Sequence, residues 1–395
     1  MTERSSKQRF DITKAGDECV RAIVDGLRLD RDNVDGVNVD PKEGVLEVEL
    51  ARAEAAEHVE AFVIKIIQTY RRIARKILKE NRATSLTVHD VDAGLAESKD
   101  IQILGDGLTG LRGNLLALFR FFEREFVRLA KEFGADEHHY PVMLPSDTLA
   151  EVGYFENFPQ HVTFCSCLPD NLPVLESAAS GLQADKGKSA EKLGSQLAAP
   201  RHVLIPGVCL PCYKQQRGVV LERDRVLRLT MQNHVFRYEG ANFRPLTRAW
   251  DFTVRDIVFF GSYEELSRLR NEVMDRSIEL CRELDLEVTI ELANDPFFLD
   301  ASREKALYQR LGEVKYELLF DLPYRRERLA ASSFNLHRSF YTSVYNTRLT
   351  NGELAESACM GFGIERWLYG FLSQKGLDPR GWPQIVISNL ESLSC

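Results

Sequence analysis

Two stretches hold the residues with the most chemical reach: Phe236-Arg237-Tyr238-Glu239 and, beyond the loop from Gly240 to Thr247, the segment from Arg248 to Asp256. Read as a strand and its return strand, residues two apart share a face, so Arg237 and Glu239 point one way, and Arg248, Phe252 and Asp256 share a face on the partner. A cation for a phosphate, an aromatic ring for a base, a carboxylate for an exocyclic amine and a second cation together make a nucleotide platform. Cross-strand ion pairs on a solvated sheet face are the competing reading for either strand alone. A second element, Gly361-Phe362-Gly363-Ile364-Glu365-Arg366, combines glycines that permit close backbone approach with a helix presenting an arginine in its first turn. It lacks the third glycine and βαβ setting of a dinucleotide fingerprint. Cysteines 165 and 167 form a CxC and cysteines 209 and 212 a CxxC, which is compatible with a structural zinc ribbon.

These groups must be positioned by the rest of a 395-residue chain. At 44% hydrophobic and 28% charged residues it has the material for a sizeable core, and disordered or collagen-like polymers are excluded. The net charge of −8 argues against coating nucleic acid by bulk charge, though not against a local basic patch. No apolar run reaches the roughly 20 residues that span a bilayer, so no membrane association is expected. The polar N-terminus is not followed by the apolar core of a signal peptide. A cytoplasmic, reducing location follows as the expectation, and eight irregularly spaced cysteines fit thiols or metal ligands better than a disulfide framework.

Along the chain, strand-like Gly44 to Leu50 leads into a helical pattern from about Arg52 to Arg82, a small α+β unit. Arg71, Arg72, Arg75, Lys76, Lys79 and Arg82 give that helix a basic face, read as solvated surface in preference to a grip on a phosphate-rich partner. Periodicity lapses from about Leu95 to Gly107, which puts the linker there and divides the chain into an N-terminal accessory domain, 1–104, and a catalytic domain, 105–395. The latter opens with a long amphipathic helix from Leu108 to Gly134 and a proline-led strand at Pro141 to Pro145. Residues from about 176 to 201 read as a surface insertion. Strands at 202–209, 226–239, 248–261, 286–293 and 315–321, a helix at 264–284, and a strand running into a helix at 354–374 make an antiparallel α+β sheet flanked by helices.

In order and type, the long helix with its proline-led strand, FRYE with its return strand, and GFGIER with its helix resemble the three signature motifs of class II aminoacyl-tRNA synthetase catalytic domains. Gly153 to Pro159, Pro206 to Cys209 and Ser332 to His337 bring the chain nearest to seryl-tRNA synthetase-like amino acid:carrier-protein ligases and to the zinc-dependent seryl-tRNA synthetases of methanogens. The resemblance covers about residues 108 to 385.

By that resemblance, Arg237 holds the ATP α-phosphate, Glu239 recognises the adenine amino group and Phe252 stacks on adenine. Arg366 takes the other face of the base near the γ-phosphate, and Arg248 is a further phosphate contact. It also implies a catalytic zinc held by Cys209, Asp256 and Cys359, with an open position for the substrate amino group; the family has glutamate where Asp256 stands. This site is favoured over the ribbon, leaving Cys165, Cys167 and Cys212 as buried thiols or pocket lining and Cys19 and Cys281 as structural. The acidic Mg²⁺ ligand of the family is missing, since Leu329, Ala330 and Ala331 stand near its place, and Glu327 is assigned the role. Asn335 and His337 are candidates for the amino acid pocket, against a hydrogen-bonded core histidine. The leading expectation is ATP-dependent activation of a small amino acid and its transfer to the phosphopantetheine thiol of a carrier protein, by a homodimer. The alternatives are zinc-dependent seryl-type tRNA aminoacylation, with tRNA as the less favoured partner, and a non-catalytic paralogue serving as a binding or regulatory subunit.

Overall fold

The computed structural model describes residues 6–40, 43–70, 76–184, 193–240, 243–293 and 313–391. The first unit is a three-stranded antiparallel sheet, β1 (Lys7–Asp11), β2 (Val34–Asp40) and β3 (Val45–Leu50), in the order β1-β3-β2. It is covered by α1 (Asp17–Leu29) and α2 (Ala56–Tyr70). Alternation in β3 decides its faces: Leu46, Val48 and Leu50 are buried against Ile23, Leu27, Val59 and Val63. Glu47 and Glu49 face outward, Glu47 pairing with Lys7 and Arg9 and Glu49 with Lys7.

The helix expected to run to Arg82 ends at Tyr70. Residues 77–81 form β4 (Ile77–Asn81), an edge strand of the large sheet, paired antiparallel with Val288–Leu292. Lys79 meets Asp275 at 2.5 Å and Arg82 meets Glu287 at 2.9 Å, so these cations staple the edge strand rather than line a helix. Arg71, Arg72 and Arg75 lie outside the described residues. The sheet thus draws its edge from within the first hundred residues, ahead of the expected boundary at 104.

The segment taken for a linker is also structured: after a helix at Val91–Glu97, a hairpin pairs Ile101–Gly105 with Leu108–Leu111. Its turn glycine, Gly107, has φ +68° and lies so close to Phe243 and Trp250 that a Cβ would clash. The long helix α3 (Gly113–Glu132) therefore starts later than Leu108.

The eight-stranded sheet continues with β5 (Asp136–Glu137), β6 (Leu227–Phe236), β7 (Asp251–Gly261), β8 (Val288–Leu292), β9 (Lys315–Leu322), β10 (Glu327–Arg338) and β11 (Glu356–Gly363). Their order is β4-β8-β9-β10-β11-β7-β6-β5, antiparallel except for the short β5 edge. Helices α4 (Tyr263–Glu283), α5 (Ile364–Lys375) and α3 pack on one face, where Phe121, Phe122, Phe126, Phe362 and Trp367 are fully buried. β7 splits by parity: Ile257 and Phe259 belong to that core, while Val258 and Phe260 join Cys359 in a second core on the opposite face. Parity also sends Arg255 to the helix side, where it pairs with Glu123 of α3 at 2.6 Å, and sends Asp256 to the other. The stretch expected as an insertion is helical from Leu172 to Ala184; residues 185–192 lie outside the described ones.

Candidate active site

The sheet face opposite the helices opens into a cavity of about 400 Å³. Cross-strand register builds its floor in two lines. Asp256, Gly361, Ser333 and Glu317 lie side by side across β7, β11, β10 and β9, and Cys359, Asn335 and Lys315 form the next line. Cys209 reaches the first line from the loop that leads into the helix Leu210–Gln215. The ligand atoms of Cys209, Asp256 and Cys359 lie within 4.8 Å of one another. Gly361 is required beside them, because a Cβ there would sit 2.8 Å from Asp256 Oδ1.

Burial pushes the Asp256 carboxyl up to about 6, against hydrogen bonds from the Cys209 and Cys359 thiols that favour its charged form. The Cys359 thiol is raised well above its ordinary value, first by its hydrogen bond with Cys209 and then by burial. Two thiols and a carboxylate converging in a buried pocket fit a zinc ion by donor type and number, with a coordination position to spare. The ribbon does not form: Cys212 is buried in the second core, Cys165 lies on a separate short strand and Cys167 is exposed. Among the described residues, the grouping able to hold a metal is Cys209, Asp256 and Cys359. Cys19 and Cys281 are core residues of the two units.

The nucleotide platform lines the same cavity. Arg237 stands just past β6; its Nε donates to the Pro206 carbonyl at 2.9 Å and its guanidinium lies 5.7 Å from the Phe252 ring centre. Glu239 accepts from Arg248 Nε at 3.0 Å. Arg366, in the first turn of α5, donates to the carbonyls of Thr247 and Ala330, each at 3.0 Å, and burial lowers its pKa. All five side chains line the cavity.

Asn335 lines it too, donating to Ser333 Oγ and the Cys359 carbonyl at 3.2 and 3.3 Å. His337 lines it as well, edge-on to Tyr213 and Tyr341. Glu327 does not fit the role expected of it. It sits at the start of β10, its side chain 53% exposed and 3.7 Å from Arg244, and it is absent from the cavity lining. The carboxylate that β9 does bring to the cavity is Glu317, paired with Lys315 at 3.1 Å. A Lys-x-Glu spacing on an apolar strand is the sequence signal for that pair, since both side chains then share a face. No such signal marks Ala22, Asp25 and Leu29 of α1, which form part of the cavity wall from the N-terminal unit.

Glu365, next to Arg366, is buried beneath the platform; both its carboxylate oxygens accept from the Thr253 backbone N–H at 2.9 Å. Burial pushes its pKa up to about 7, despite those bonds. Above the ordinary value of 4.5 the unfolded carboxyl ionises while the folded one keeps its proton, so the native state binds more protons and stability falls as pH rises toward 7. The loss amounts to about 3 kcal/mol, reached above pH 7. Glu365→Gln is expected to remove this component, so the drop in unfolding free energy between pH 5 and pH 8, read by urea titration, shrinks in the variant.

The chain carries a class II aminoacyl-tRNA synthetase-like fold. M. kandleri SerRS in complex with A. aeolicus tRNASec superposes with a TM-score of 0.75 at 21% identity, covering 92% of this chain and 74% of that one. A cytoplasmic serine-tRNA ligase from Naegleria fowleri in complex with AMP gives a TM-score of 0.62 at 11% identity, covering 86% of this chain and 78% of that one. In sequence, the type-2 serine–tRNA ligase of Methanocaldococcus jannaschii is 28% identical over 286 residues, 71% of this chain and 55% of the relative. That of Methanopyrus kandleri is 27% identical over 292 residues, 70% of this chain and 55% of the relative. The chain thus matches about half the length of these relatives. No protein-family model matches it. The relatives are tRNA ligases by name, and the first structural neighbour is bound to tRNA, which overturns the carrier-protein acceptor and partner expected from the sequence. Among the described residues, no helix is long and apolar enough to cross a membrane.

Proposed function

We propose that this chain is a zinc-dependent ligase that activates serine with ATP and esterifies it to tRNA. The observation that carries the reading is that the Cys209, Asp256 and Cys359 cluster and the Arg237, Glu239, Phe252 and Arg366 platform open into one cavity. The serine–tRNA ligases with which the chain shares sequence support the choice of substrate and acceptor. In the first step a serine carboxylate oxygen bonds to the α-phosphorus while the bond to the β,γ-pyrophosphate breaks, giving seryl-AMP. In the second a ribose hydroxyl of tRNA attacks the acyl carbon and AMP leaves.

Arg237 bears on the charge that builds at the α-phosphate, and Phe252 and Arg366 sandwich the base whose amino group Glu239 accepts. Zinc held by Cys209, Asp256 and Cys359 would supply an electrophilic position for the α-amino group. Mg²⁺ would accompany the ATP phosphates, with Glu317 the carboxylate that β9 brings to the cavity. A homodimer joined through α3 belongs to the same reading, as does an accessory role for the N-terminal unit.

The test is amino-acid-dependent ATP–pyrophosphate exchange on zinc-replete protein, over a full amino acid panel because Asp256 stands where the resembled family has glutamate, followed by acylation of tRNA. Serine-dependent exchange and seryl-tRNA formation are expected. Absence of exchange with every amino acid, from folded and metal-loaded protein, would overturn the reading.

A further inference from the structure

Arg248 enters the cavity as one of the cations facing the nucleotide end, yet its hydrogen-bonding fork is already engaged. Nη1 and Nη2 donate to the two carboxylate oxygens of Asp25 at 2.5 and 2.9 Å, and Nε meets Glu239 at 3.0 Å. A bidentate carboxylate and a phosphate ask for the same face of a guanidinium, so the two cannot occupy it together. Charge leads to the same conclusion at short range: held between two carboxylates, Arg248 has its own charge already met before a triphosphate arrives. Burial alone would lower the pKa of Arg248, but the hydrogen bonds to Asp25 and the charge of Glu239 outweigh it and raise the value. Arg28, Arg366 and Glu327 face this group from α1, α5 and β10 at longer range.

Asp25 reaches the cavity from the N-terminal unit. Ala22, Asp25 and Leu29 share one face of α1 at three- and four-residue spacing and line the cavity, while Ile23 and Leu27 are buried in that unit's own core. Gly26 lets α1 lie against the Phe62 ring, where a Cβ would come within 2.3 Å, so α1 is fixed to α2. Asp25 therefore reports the position of the whole unit.

We propose that Asp25 is a competitor built into the nucleotide site, occupying Arg248 until the ATP triphosphate displaces it, so that nucleotide binding loosens the N-terminal unit from the catalytic sheet. The proposal rests on the nucleotide reading given above and assigns the N-terminal unit a part in controlling that site. Asp25→Asn keeps the side-chain shape and removes the charge; the KM for ATP in pyrophosphate exchange is expected to fall about fivefold, with the KM for amino acid unchanged. Arg248→Ala is expected to raise the KM for ATP, and the Asp25→Asn change to have no further effect in that background. Hydrogen exchange across residues 22–29 in the unmutated protein is expected to quicken when a non-hydrolysable ATP analogue is added. An unchanged or raised KM for ATP in folded Asp25→Asn, or unaltered exchange across 22–29 on nucleotide binding, overturns the competitor while leaving the nucleotide site standing. Failure of both the unmutated protein and Asp25→Asn to bind the analogue in calorimetry overturns the nucleotide reading itself, and the competitor with it.

Discussion

Arg237→Ala is expected to lower serine-dependent ATP–pyrophosphate exchange about 10²- to 10³-fold, the range seen when one preorganised donor to a developing charge is removed. The guanidinium is held by Nε on the Pro206 carbonyl and by the Phe252 ring, and its terminal nitrogens make no hydrogen bond among the described residues. They are therefore oriented before substrate arrives. A stability role would show up differently, because the bond lost is a single one to a backbone carbonyl at the cavity edge. The expected melting temperature and zinc content of Arg237→Ala are those of the unmutated protein, with the loss confined to exchange. Arg237→Lys keeps the charge but not the planar fork and should fall between the two. Equal loss in exchange and in melting temperature would identify Arg237 as structural and remove the central support of the nucleotide platform.

How much of this was legible in the chain depended on whether a residue's role is set locally. The alternation of β3 and the parity of β7 are local: the first sets the core face of the N-terminal sheet, and the second sets which β7 side chains face the cavity. β4 was hidden because Ile77, Leu78 and Lys79 continue the spacing of the preceding helix; only pairing with β8, two hundred residues away, makes them a strand. The start of α3 was read too early for a similar reason, since Leu108 and Leu111 fall on helical spacing but belong to the hairpin. β10 lies between β9 and β11 and reads Glu-Arg-Leu-Ala-Ala-Ser-Ser, with no alternation to announce it, so Glu327 was assigned the Mg²⁺ role with no face to place it on. The acceptor was illegible on chemical grounds: carrier-protein and tRNA ligases share the adenylation step, and the roles that the resemblance implies for Arg237, Glu239, Phe252 and Arg366 belong to that step alone.

Cys359→Ala is expected to reduce zinc content from one ion per chain to none, measured by atomic emission after dialysis, and to abolish amino acid activation with it. Three groups from distant parts of the chain converge at this site, and removing one leaves a thiol and a carboxylate, too few donors to retain zinc against dialysis. Substitution with Co²⁺ gives a readout independent of catalysis, because sulfur-to-cobalt charge transfer absorbs in the near ultraviolet in proportion to the number of thiolates bound. That band should fall by half or more in Cys209→Ser and vanish with the metal in Cys359→Ala. It should persist in Cys212→Ser, whose thiol lies in the second core outside the ligand group. Cys165→Ser and Cys167→Ser should also leave it unchanged, which separates the cavity site from a ribbon built on the CxC and CxxC pairs. Retention of full zinc by Cys359→Ala would place the metal elsewhere and detach the cysteine cluster from substrate binding. The desolvation of the buried Asp256 carboxyl would then be offset by the two thiols, the Cys209 backbone N–H and the charge of Arg237 alone, and the raised value of about 6 shows that these do not offset it fully.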